Sequence, residues 1–364
     1  MADKPCVAVG MSGGVDSSVA AAILKRDGYD VIGLTMKVYD SSKLKSQKSK
    51  VRAAHHGCYG EGEDEDIEDA RRVAWALGIP HYVIDLTAEY QAEVLDYFRR
   101  EYEAGRTPNP CLRCNPRVKF GELVAKARKA GLSFDLFATG HYARLQWNGD
   151  RKLLMKGRDA GKDQSYFLAF LTTEQLRQTL LPLGEKTKAE VRRLAADFGL
   201  PVAAKAESQD FAAGGYESLL GPESPGPVLD QAGNVLAEHR GIARYTIGQR
   251  KGLGVASGSS MYVVDIDPAR NAVIVGGREE TFRDSLTATG LNWTGIESLD
   301  APMSVTAKVR YRHPEARAEV RPFDEDRVYV KFDEPQPAIT PGQGVVFYDG
   351  DVVLGGGTIE RAGE

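Results

Sequence analysis

The segment GMSGGVDSS at residues 10–18 follows a short apolar run and precedes a helical pattern. The run CVAV at residues 6–9 predicts a buried strand, and the pattern at residues 19–24 predicts a helix. Two glycines allow the turn backbone to approach a ligand, while amides at a helix N-terminus and three serine hydroxyls suit anionic oxygens. Strand, glycine-rich turn and helix together predict a phosphate-binding loop in an α/β fold.

No lysine follows the two glycines of this loop, which excludes the Gly-Lys-Ser/Thr loop that serves transfer of a terminal phosphoryl group. Asp16 lies where a carboxylate can bridge Mg²⁺ to a phosphate. The alternative is an ordinary glycine and serine turn that caps a helix. The loop therefore predicts a nucleotide site of another kind, with Asp16 as a candidate Mg²⁺ ligand.

Strand patterns alternate with helical patterns up to about residue 208. Strands are predicted at residues 31–36, 82–86 and 134–139, and helices at residues 66–77, 88–103, 118–130 and 185–199. This alternation predicts a doubly wound parallel sheet. Ligands of such sheets bind beyond the carboxyl ends of the strands, where the 10–18 loop, Met36 and Gly140 are expected to converge.

The pattern changes after residue 208. Glycine and proline punctuate the chain at residues 214–215 and 221–227, and short strands are predicted at 261–266 and 272–275. From about residue 280, predicted strands alternate with turns as in a small β-barrel, at residues 304–311, 316–321, 327–332, 344–348 and 352–356. Three domains are therefore expected: an α/β catalytic domain at 1–208, a small, mostly β central domain at 209–279 and a C-terminal β-barrel at 280–364.

The composition is that of a globular protein, with 42% hydrophobic and 27% charged residues in a chain of 364. A basic and apolar leader is absent from the start of the sequence, and no apolar run approaches the length of a membrane span. We therefore expect a cytoplasmic protein without a membrane partner. The four cysteines are then expected to be reactive, ligating or buried rather than a disulfide framework.

The net charge of −4 does not by itself indicate a nucleic-acid partner, but the basic residues are clustered. Basic patches on an acidic protein can neutralise RNA phosphates locally. Solvated faces and a loop are the alternative interpretation. The two runs are Lys37, Lys43, Lys45, Lys48, Lys50 and Arg52, and Lys308, Arg310, Arg312, Arg317 and Arg321.

A second informative segment is GRTPNPCLRCN at residues 105–115, a proline-restricted loop that presents Cys111 and Cys114. Positive charge nearby lowers the pKa of a thiol and favours the thiolate, and Arg106, Arg113 and Arg117 are the expected source. A Cys-x-x-Cys pair alone also suits a redox pair or half of a zinc site. The ligands that could complete a zinc site are Cys58, His55 and His56.

These segments, taken in order, resemble the tRNA-specific 2-thiouridylases of the ATP pyrophosphatase superfamily. The resemblance is carried by the SGGVDS loop, GRTPNP followed by Cys-x-x-Cys-Asn and KFG at 119–121, ATGHYAR at 138–144, KDQSYFL at 162–168 and YTIGQRKG at 245–252. It covers essentially the whole chain. It implies an N-terminal fold like that of the adenine nucleotide alpha hydrolases.

The resemblance also implies a reaction and its partners. ATP adenylates the C2 oxygen of a wobble uridine in the tRNA anticodon arm, sulfur from a donor protein or sulfide replaces it, and AMP and pyrophosphate are released. The implied ATP-binding residues are Gly10, Met11, Ser12, Gly13, Gly14, Val15, Asp16, Ser17, Ser18, Met36 and Gly140. The implied tRNA contacts are Asn109, Pro110, Cys111, His141, Lys162, Asp163, Gln164, Tyr311, Arg312 and Gln343. Cys114 is the implied sulfur-handling nucleophile.

The chain departs from the commonest family pattern on the sulfur side. Cys111 stands where that pattern has an aspartate, and no cysteine follows Ser208-Gln209-Asp210. Three cysteines can hold a four-iron cluster with one iron open to sulfide. We therefore hypothesise a 4Fe-4S cluster on Cys58, Cys111 and Cys114, and the alternative is a Cys111/Cys114 pair that carries a persulfide and resolves it as a disulfide.

Two other classes of function are compatible with a pyrophosphatase loop. One is an amidotransferase-type synthetase that adenylates a small substrate, although no glutaminase-like segment is evident. The other is a non-catalytic RNA-binding or nucleotide-binding protein that keeps the ATP fold. Release of pyrophosphate that depends on unmodified tRNA separates the three.

Overall fold

The computed structural model describes residues 4–40, 57–206, 210–212, 215–221, 224–255 and 259–363. The chain forms two compact units. The first contains Met1–Val94, Cys111–Tyr216 and Asp351–Val353, and the second contains Leu95–Pro110, Glu217–Gly350 and Leu354–Glu364.

The first unit is built on a parallel sheet, as the alternating pattern predicts. Its strands are β1 (Cys6–Gly10), β2 (Asp30–Lys37), β3 (Gly57–Tyr59), β4 (His81–Asp85), β5 (Leu136–Ala138), β6 (Ala143–Asn148), β7 (Arg151–Lys156), β8 (Thr179–Leu180) and β9 (Asp210–Ala212). Five of them form the sheet in the order β4-β2-β1-β5-β8, and all four neighbouring pairs are parallel. Strands β6 and β7 form an antiparallel hairpin, and β3 pairs with β9. The expected doubly wound α/β fold is confirmed.

Helices follow most strands of this sheet. In chain order they are α1 (Val15–Arg26), α2 (Glu63–Leu77), α3 (Thr87–Tyr90), α4 (Asp96–Glu103), α5 (Pro110–Cys114), α6 (Leu123–Lys129), α7 (Ser165–Leu168), α8 (Thr173–Arg177) and α9 (Lys188–Asp197), of which α4 belongs to the second unit. The helix predicted at 88–103 is divided by a π-helical turn at Gln91–Leu95, and a second π segment spans Asn115–Glu122.

The last helix of the first unit begins three residues later than the pattern at 185–199 predicts. Thr187 is its N-cap: its hydroxyl accepts from the amide of Glu190 at 3.3 Å, and the Glu190 carboxylate accepts from the amide of Thr187 at 2.6 Å. This reciprocal capping box sets the start of α9 at Lys188. The same cap therefore fixes the position of the Lys188 side chain.

The core of the first unit lies between α1, α2, α9 and the sheet. Val7 and Val9 of β1 are fully buried, as are Val19 to Ala21 of α1. Strands buried on both faces read as continuous apolar runs, which is why the CVAV run was recognisable. The buried face of α1 also holds the 10–18 loop rigidly at the carboxyl end of β1.

The second unit is largely β-structure. A four-stranded sheet has the order β11-β10-β13-β12, built from β10 (Gly226–Leu229), β11 (Val235–His239), β12 (Tyr262–Asp267) and β13 (Ala272–Gly276). A barrel follows, built from β14 (Phe282–Trp293), β15 (Met303–Lys308), β16 (Ala316–Pro322), β17 (Arg327–Pro337), β18 (Gly344–Asp349) and β19 (Val352–Ala362). Pairing of β14 with β19 closes the barrel, which confirms the expected β central region and C-terminal barrel.

Strand β14 was missing from the sequence prediction. Its sequence FRDSLTATGLNW has few large apolar residues, and only Ser285, Leu286 and Ala288 are buried. It nevertheless pairs with both β17 and β19. Among the described residues, none of the helices is long and apolar enough to cross a membrane.

Candidate active site

The two glycines of the 10–18 loop have different roles. Gly13 adopts φ +69°, and a Cβ atom there would lie 2.1 Å from the carbonyl oxygen of Asp66 in α2. At Gly14 the nearest atom to such a Cβ is the Ser12 hydroxyl at 3.4 Å. Gly13 therefore permits close packing on α2, whereas Gly14 leaves the ligand side of the loop open.

The three serine hydroxyls of the loop do not all face outward as expected. The Ser18 hydroxyl is fully buried and donates to the carbonyl of Gly14 at 2.7 Å. The Ser17 hydroxyl accepts from the amide of Ser12 at 3.2 Å and donates to the carbonyl of Gly14 at 3.3 Å. Ser12 is exposed, so its hydroxyl is the one of the three that solvent reaches freely. The other two hydroxyls hold the loop backbone in shape.

Asp16 is held by two residues that the sequence analysis did not select. The Lys188 ammonium lies 2.7 and 2.8 Å from the two carboxylate oxygens, and the Tyr142 hydroxyl donates to Oδ1 at 2.8 Å. Lys188 is only 13% exposed in this pair. The fold thus places at the loop the cation that the loop sequence lacks. No local signal links Lys188 to Asp16, because 172 positions separate them.

Gly140 packs directly on this loop. A Cβ atom at Gly140 would lie 2.7 Å from the carbonyl carbon of Asp16 and 2.7 Å from the amide nitrogen of Ser17. Met36 is partly buried near the end of β2, and the amide of Met11 donates to the carbonyl of Leu34 in that strand at 2.8 Å. The carboxyl ends of β1, β2 and β5 therefore bring the loop, Met36 and Gly140 to one edge of the sheet.

The thiols of Cys111 and Cys114 are neutral, contrary to the expected thiolates. Both residues lie in α5, three positions apart and hence on one face, and both are partly exposed. Burial and the neighbouring cysteines raise the pKa of Cys111 to about 12. Burial first, and then Cys58, raises the pKa of Cys114 to about 11, despite an opposing effect of Lys119.

The expected arginines do not act on these thiols because carboxylates engage them or solvent surrounds them. Arg106 forms a bidentate ion pair with Glu101 at 2.6 and 2.7 Å, and Arg113 binds Glu93 at 2.7 Å. Arg117 is exposed. The cation that lowers the pKa of both thiols is Lys119.

Lys119 also connects the thiols to the nucleotide edge of the sheet. Burial first, and then the charge of Lys119, holds the pKa of His141 well below its usual value, so this imidazole is neutral. His141 directly follows Gly140, and its Nδ1 lies 2.8 Å from the hydroxyl of Thr139. A single cation therefore acts on both the Cys111/Cys114 pair and the strand end that packs on the 10–18 loop.

Cys58 is the third cysteine of the hypothesised cluster. It is exposed on β3, whose register pairs Gly57 with Asp210 and Tyr59 with Ala212 of β9. A charge on Cys58 would raise the pKa of both Cys111 and Cys114, and the ring of Tyr59, the next residue of β3, stacks on that of Tyr90. Strand β3 thus brings a thiol beside the segment that follows Ser208 and Gln209, which lie outside the described residues.

This thiol region does not form a recognisable metal site. Within the described part of the chain, no three or more histidine, cysteine, aspartate or glutamate side chains are grouped so as to hold a metal ion. The expected 4Fe-4S cluster on Cys58, Cys111 and Cys114 is therefore not supported by their arrangement. His55 and His56, the histidines named for the zinc alternative, lie outside the described residues.

Three tyrosines pack together around Tyr59, the residue that follows Cys58. The ring of Tyr59 stacks on that of Tyr90 with centroids 5.5 Å apart and an angle of 10° between planes, and it contacts Tyr39 edge-on at 5.3 Å. Tyr90 is 1% exposed, and its hydroxyl has no hydrogen-bond partner among the described residues. Sequence analysis missed Tyr90, because it reads as one apolar position of a helical pattern.

Comparisons with known proteins agree with this arrangement. The family described as "tRNA methyl transferase HUP domain" matches residues 5–212. The chain is 50% identical to "tRNA-specific 2-thiouridylase MnmA" of Moorella thermoacetica over 98% of this chain and 99% of that protein. It is 48% identical to "tRNA-specific 2-thiouridylase MnmA 1" of Caldanaerobacter subterraneus subsp. tengcongensis, over 98% of each chain. The chain belongs to the tRNA-specific 2-thiouridylase family.

Members of this thiouridylase family are tRNA uridine sulfurtransferases, so the chain is an enzyme of that class. The rest of the chain matches two further families. "tRNA methyl transferase PRC-barrel domain" matches residues 218–277, and "Aminomethyltransferase beta-barrel domain" matches residues 283–359. These ranges cover the four-stranded sheet and the barrel of the second unit.

Several residues that the resemblance to this family implied for tRNA contact in the first unit make internal hydrogen bonds. Asp163 Oδ1 accepts from the amides of Gly157 at 2.8 Å and Ser165 at 3.1 Å. Gln164 Oε1 accepts from the amide of Tyr142 at 2.9 Å. Asp163 and Gln164 therefore shape the turn that also carries Lys162, next to the strand end with His141.

The remaining implied thiouridylase contacts lie in the second unit, except Cys111. Gln343 is buried and donates to the carbonyl of Thr107 at 2.9 Å, and the amide of Thr107 donates to the carbonyl of Pro341 at 2.8 Å. The barrel thus holds the segment that leads to Asn109 and Pro110. No local sequence pattern links Gln343 to Thr107, because 236 positions separate the two residues.

Tyr311 and Arg312 connect β15 to β16. Arg312 is exposed, and the Lys308 ammonium lies 6.0 Å from the centre of the Tyr311 ring. Arg317 and Arg321 are exposed on β16, whereas Arg310 donates to the hydroxyl of Thr340 at 2.7 Å. The C-terminal basic run is thus largely available to a partner. Of the N-terminal run, all residues except Lys37 lie outside the described residues.

Proposed function

We propose that the chain catalyses the ATP-dependent 2-thiolation of the wobble uridine of tRNA. ATP adenylates the C2 oxygen of the uracil and releases pyrophosphate, sulfur replaces that oxygen, and AMP departs. The observation that carries the proposal is the link between the two halves of the site. The ring of Phe120, in the π segment that directly follows the α5 thiols, lies 6.1 Å from the imidazole of His141, and His141 follows the glycine that packs on the 10–18 loop.

The activation half of the proposed site is the loop with Asp16 and Lys188. Amides at the start of α1 and the open face at Gly14 suit the phosphate oxygens of ATP. Asp16 is the residue that would hold Mg²⁺, which when bound neutralises charge on the departing pyrophosphate. The Lys188 ammonium supplies a fixed positive charge at the same place and is already oriented by the Asp16 carboxylate.

The sulfur half of the proposed site is the Cys111/Cys114 pair. A persulfide donor transfers its outer sulfur to Cys114: the new S–S bond forms on Cys114 and the donor leaves as a thiol with the proton of Cys114. The terminal sulfur then attacks the adenylated C2, the C–O bond breaks, and AMP departs with the electron pair. This leaves the tRNA joined to Cys114 through a disulfide link.

Cys111 resolves this link. Its sulfur attacks Cys114 Sγ as its proton passes to solvent, and the electron pair of the broken S–S bond stays on the sulfur at C2, giving the thiocarbonyl. The resulting Cys111–Cys114 disulfide is reset by a dithiol reductant. One helical turn holds the two thiols on one face, as this exchange requires. The cluster on Cys58, Cys111 and Cys114 is the alternative route, which the arrangement of these three described residues supports less well, because they are not grouped as metal ligands.

The test is release of pyrophosphate and formation of 2-thiouridine with purified protein, ATP, a persulfide donor and unmodified tRNA. Both products should require tRNA, Cys111→Ala and Cys114→Ala should abolish thiolation while leaving tRNA-dependent pyrophosphate release, and Cys58→Ala should retain activity. Pyrophosphate release without tRNA would indicate a small-molecule synthetase, and none at all would indicate a binding protein.

Iron and sulfide analysis of protein purified without oxygen separates the two sulfur routes. The Cys111/Cys114 route predicts that neither iron nor sulfide is present in stoichiometric amount. Stoichiometric iron and sulfide, together with loss of activity in Cys58→Ala, would contradict the Cys111/Cys114 route and favour the cluster.

For either sulfur route we propose that the protein acts in the cytoplasm. We also propose that the chain divides into three domains, at residues 1–208, 209–279 and 280–364.

A further inference from the structure

The Tyr90 hydroxyl is a buried donor that has no partner in the part of the chain that the structure describes. Its residue is 1% exposed, at the end of α3, and no hydrogen bond to the hydroxyl exists among the described residues. Buried hydroxyls are nearly always hydrogen-bonded, because for an unpaired hydroxyl no protein hydrogen bond offsets the free energy of desolvation. An exception inside a reactive site therefore points to a group that is bound there during function.

The surroundings of Tyr90 identify that group. Its ring stacks on Tyr59, the residue directly after Cys58, with centroids 5.5 Å apart. Three residues after Tyr90, Glu93 accepts hydrogen bonds from Arg113, the residue before Cys114, at 2.7 Å to its carboxylate and at 3.3 Å to its backbone carbonyl. Tyr90 is thus linked both to the strand of Cys58 and to the helix of Cys111 and Cys114. Burial first, and then charges on these three cysteines, raise the pKa of its hydroxyl.

We propose that the Tyr90 hydroxyl donates a hydrogen bond to the terminal sulfur of a persulfide on Cys114 and holds it for transfer. This inference rests on the proposed sulfur route. A persulfide sulfur is anionic at neutral pH, and a positioned O–H donor stabilises an anion more than a neutral thiol. Tyr90 is thus a positioning residue, and stacking on Tyr59 keeps its ring in place while the sulfur changes.

The test compares Tyr90→Phe with Tyr39→Phe. Phenylalanine keeps the ring and removes only the hydroxyl. Tyr39 belongs to the same aromatic group, but the charges that raise its pKa include Glu61 and Glu63, so its hydroxyl has acidic neighbours outside the thiol group. Each protein is loaded with inorganic polysulfide, and the persulfide on Cys114 is alkylated and quantified by mass spectrometry over time.

We expect Tyr90→Phe to lose the Cys114 persulfide about tenfold faster than the unchanged protein. This factor corresponds to the free energy of one hydrogen bond to a charged group. Tyr39→Phe should match the unchanged protein. Thermal unfolding should show Tyr90→Phe to be as stable as the unchanged protein or more stable, because an unpaired buried hydroxyl is removed. A merely structural tyrosine would give the opposite change in stability.

Two outcomes would overturn the inference alone. One is an equal persulfide lifetime in Tyr90→Phe and the unchanged protein, and the other is a clear loss of stability in Tyr90→Phe, which would reveal an internal partner for the hydroxyl. If the unchanged protein forms no persulfide on Cys114, the proposed sulfur route fails, and the inference fails with it. Persulfide formation in the unchanged protein therefore distinguishes the two failures.

Discussion

Cys111 and Cys114 are held as neutral thiols, since burial and the other cysteines outweigh the charge of Lys119. A neutral thiol is a poor nucleophile, whereas a persulfide ionises more readily. The free protein is therefore protected from alkylation and oxidation until a donor delivers sulfur. Cys111 and Cys114 can therefore be partly exposed to solvent and still react slowly with alkylating agents and oxidants.

The raised pKa values predict slow alkylation of both thiols near neutral pH. At pH 7.5, iodoacetamide should modify Cys111 and Cys114 about 10- to 100-fold more slowly than a free cysteine. The thiolate fraction falls tenfold for each unit of pKa, and the greater intrinsic nucleophilicity of a more basic thiolate offsets about half of that effect on the logarithmic scale. The rate at Cys114 should rise with pH up to about 11. Mass spectrometry of each cysteine across pH 7 to 11 measures this, and a plateau near pH 8 would contradict it.

Lys188 gives a second prediction at the level of a single residue. Lys188→Gln removes the positive charge beside Asp16, so the affinities for ATP and for inorganic pyrophosphate should fall about 10- to 100-fold, the size of a charge-assisted hydrogen bond. The affinity for AMP should change little. Calorimetric titration provides the measurement.

Arg193→Gln is the matched control for this prediction. It removes the same charge from an exposed position of the same helix, α9, and should leave all three affinities unchanged. Equal ATP binding by Lys188→Gln and the unchanged protein would show that Lys188 only neutralises Asp16.

At the scale of elements, the 10–18 loop depends on its packing against α2. Helix α2 begins with Glu63, Asp64, Glu65 and Asp66, whose charges suit the positive end of a helix. Glu63 accepts from the amide of Val38 at 2.7 Å and so ties the end of β2 to the same helix end. The loop, β2 and α2 therefore form one unit of packing.

Gly13→Ala should disrupt this packing. A Cβ atom would collide with the Asp66 carbonyl, and φ +69° is itself unfavourable for alanine, so we expect a loss of about 2 kcal/mol or more in the free energy of unfolding. Gly14→Ala is the matched control, since its Cβ meets only the Ser12 hydroxyl at 3.4 Å, and it should cost about 1 kcal/mol or less. Urea unfolding measures both, and equal losses would refute the distinction.

Whole elements also show where sequence patterns were insufficient. Helical periodicity at 88–103 and 118–130 indicated helices, but not the π segments Gln91–Leu95 and Asn115–Glu122 that interrupt or precede them. Periodicity reports which side of a segment is apolar. A π-helical turn shifts the backbone hydrogen bonds by one residue and hardly alters this apolar pattern. Strand β14 was missed for a related reason, because backbone pairing on both edges stabilises it more than apolar side chains do.

At the scale of the whole molecule, the first unit carries the proposed chemistry and the basic residues of the barrel lie in the second. Global charge is slightly negative, so binding of tRNA must come from local positive residues. Arg310 is engaged by Thr340, whereas Arg312, Arg317 and Arg321 are exposed. The barrel is therefore the part of the second unit expected to contact RNA phosphates.

Arg312→Gln should weaken tRNA binding about 3- to 10-fold and reduce the slope of log affinity against log salt by about one. Arg240→Gln serves as the control, because Arg240 is exposed in the same unit but lies in the four-stranded region. Fluorescence titration at several salt concentrations measures both changes. An unchanged salt slope in Arg312→Gln would exclude a phosphate contact at this residue.

The sequence by itself determined the parallel fold, the β central region and barrel, the phosphate loop and the cysteines, because each is encoded in adjacent residues with a local physical cause. The tertiary structure alone decided the charge on the thiols, because burial raises the pKa of both, while Arg106 and Arg113 bind Glu101 and Glu93. It alone also brought Lys188 to Asp16 and left the Tyr90 hydroxyl without a partner among the described residues. The reason is physical: pKa values and ion pairs depend on burial and on distances between residues far apart in the chain.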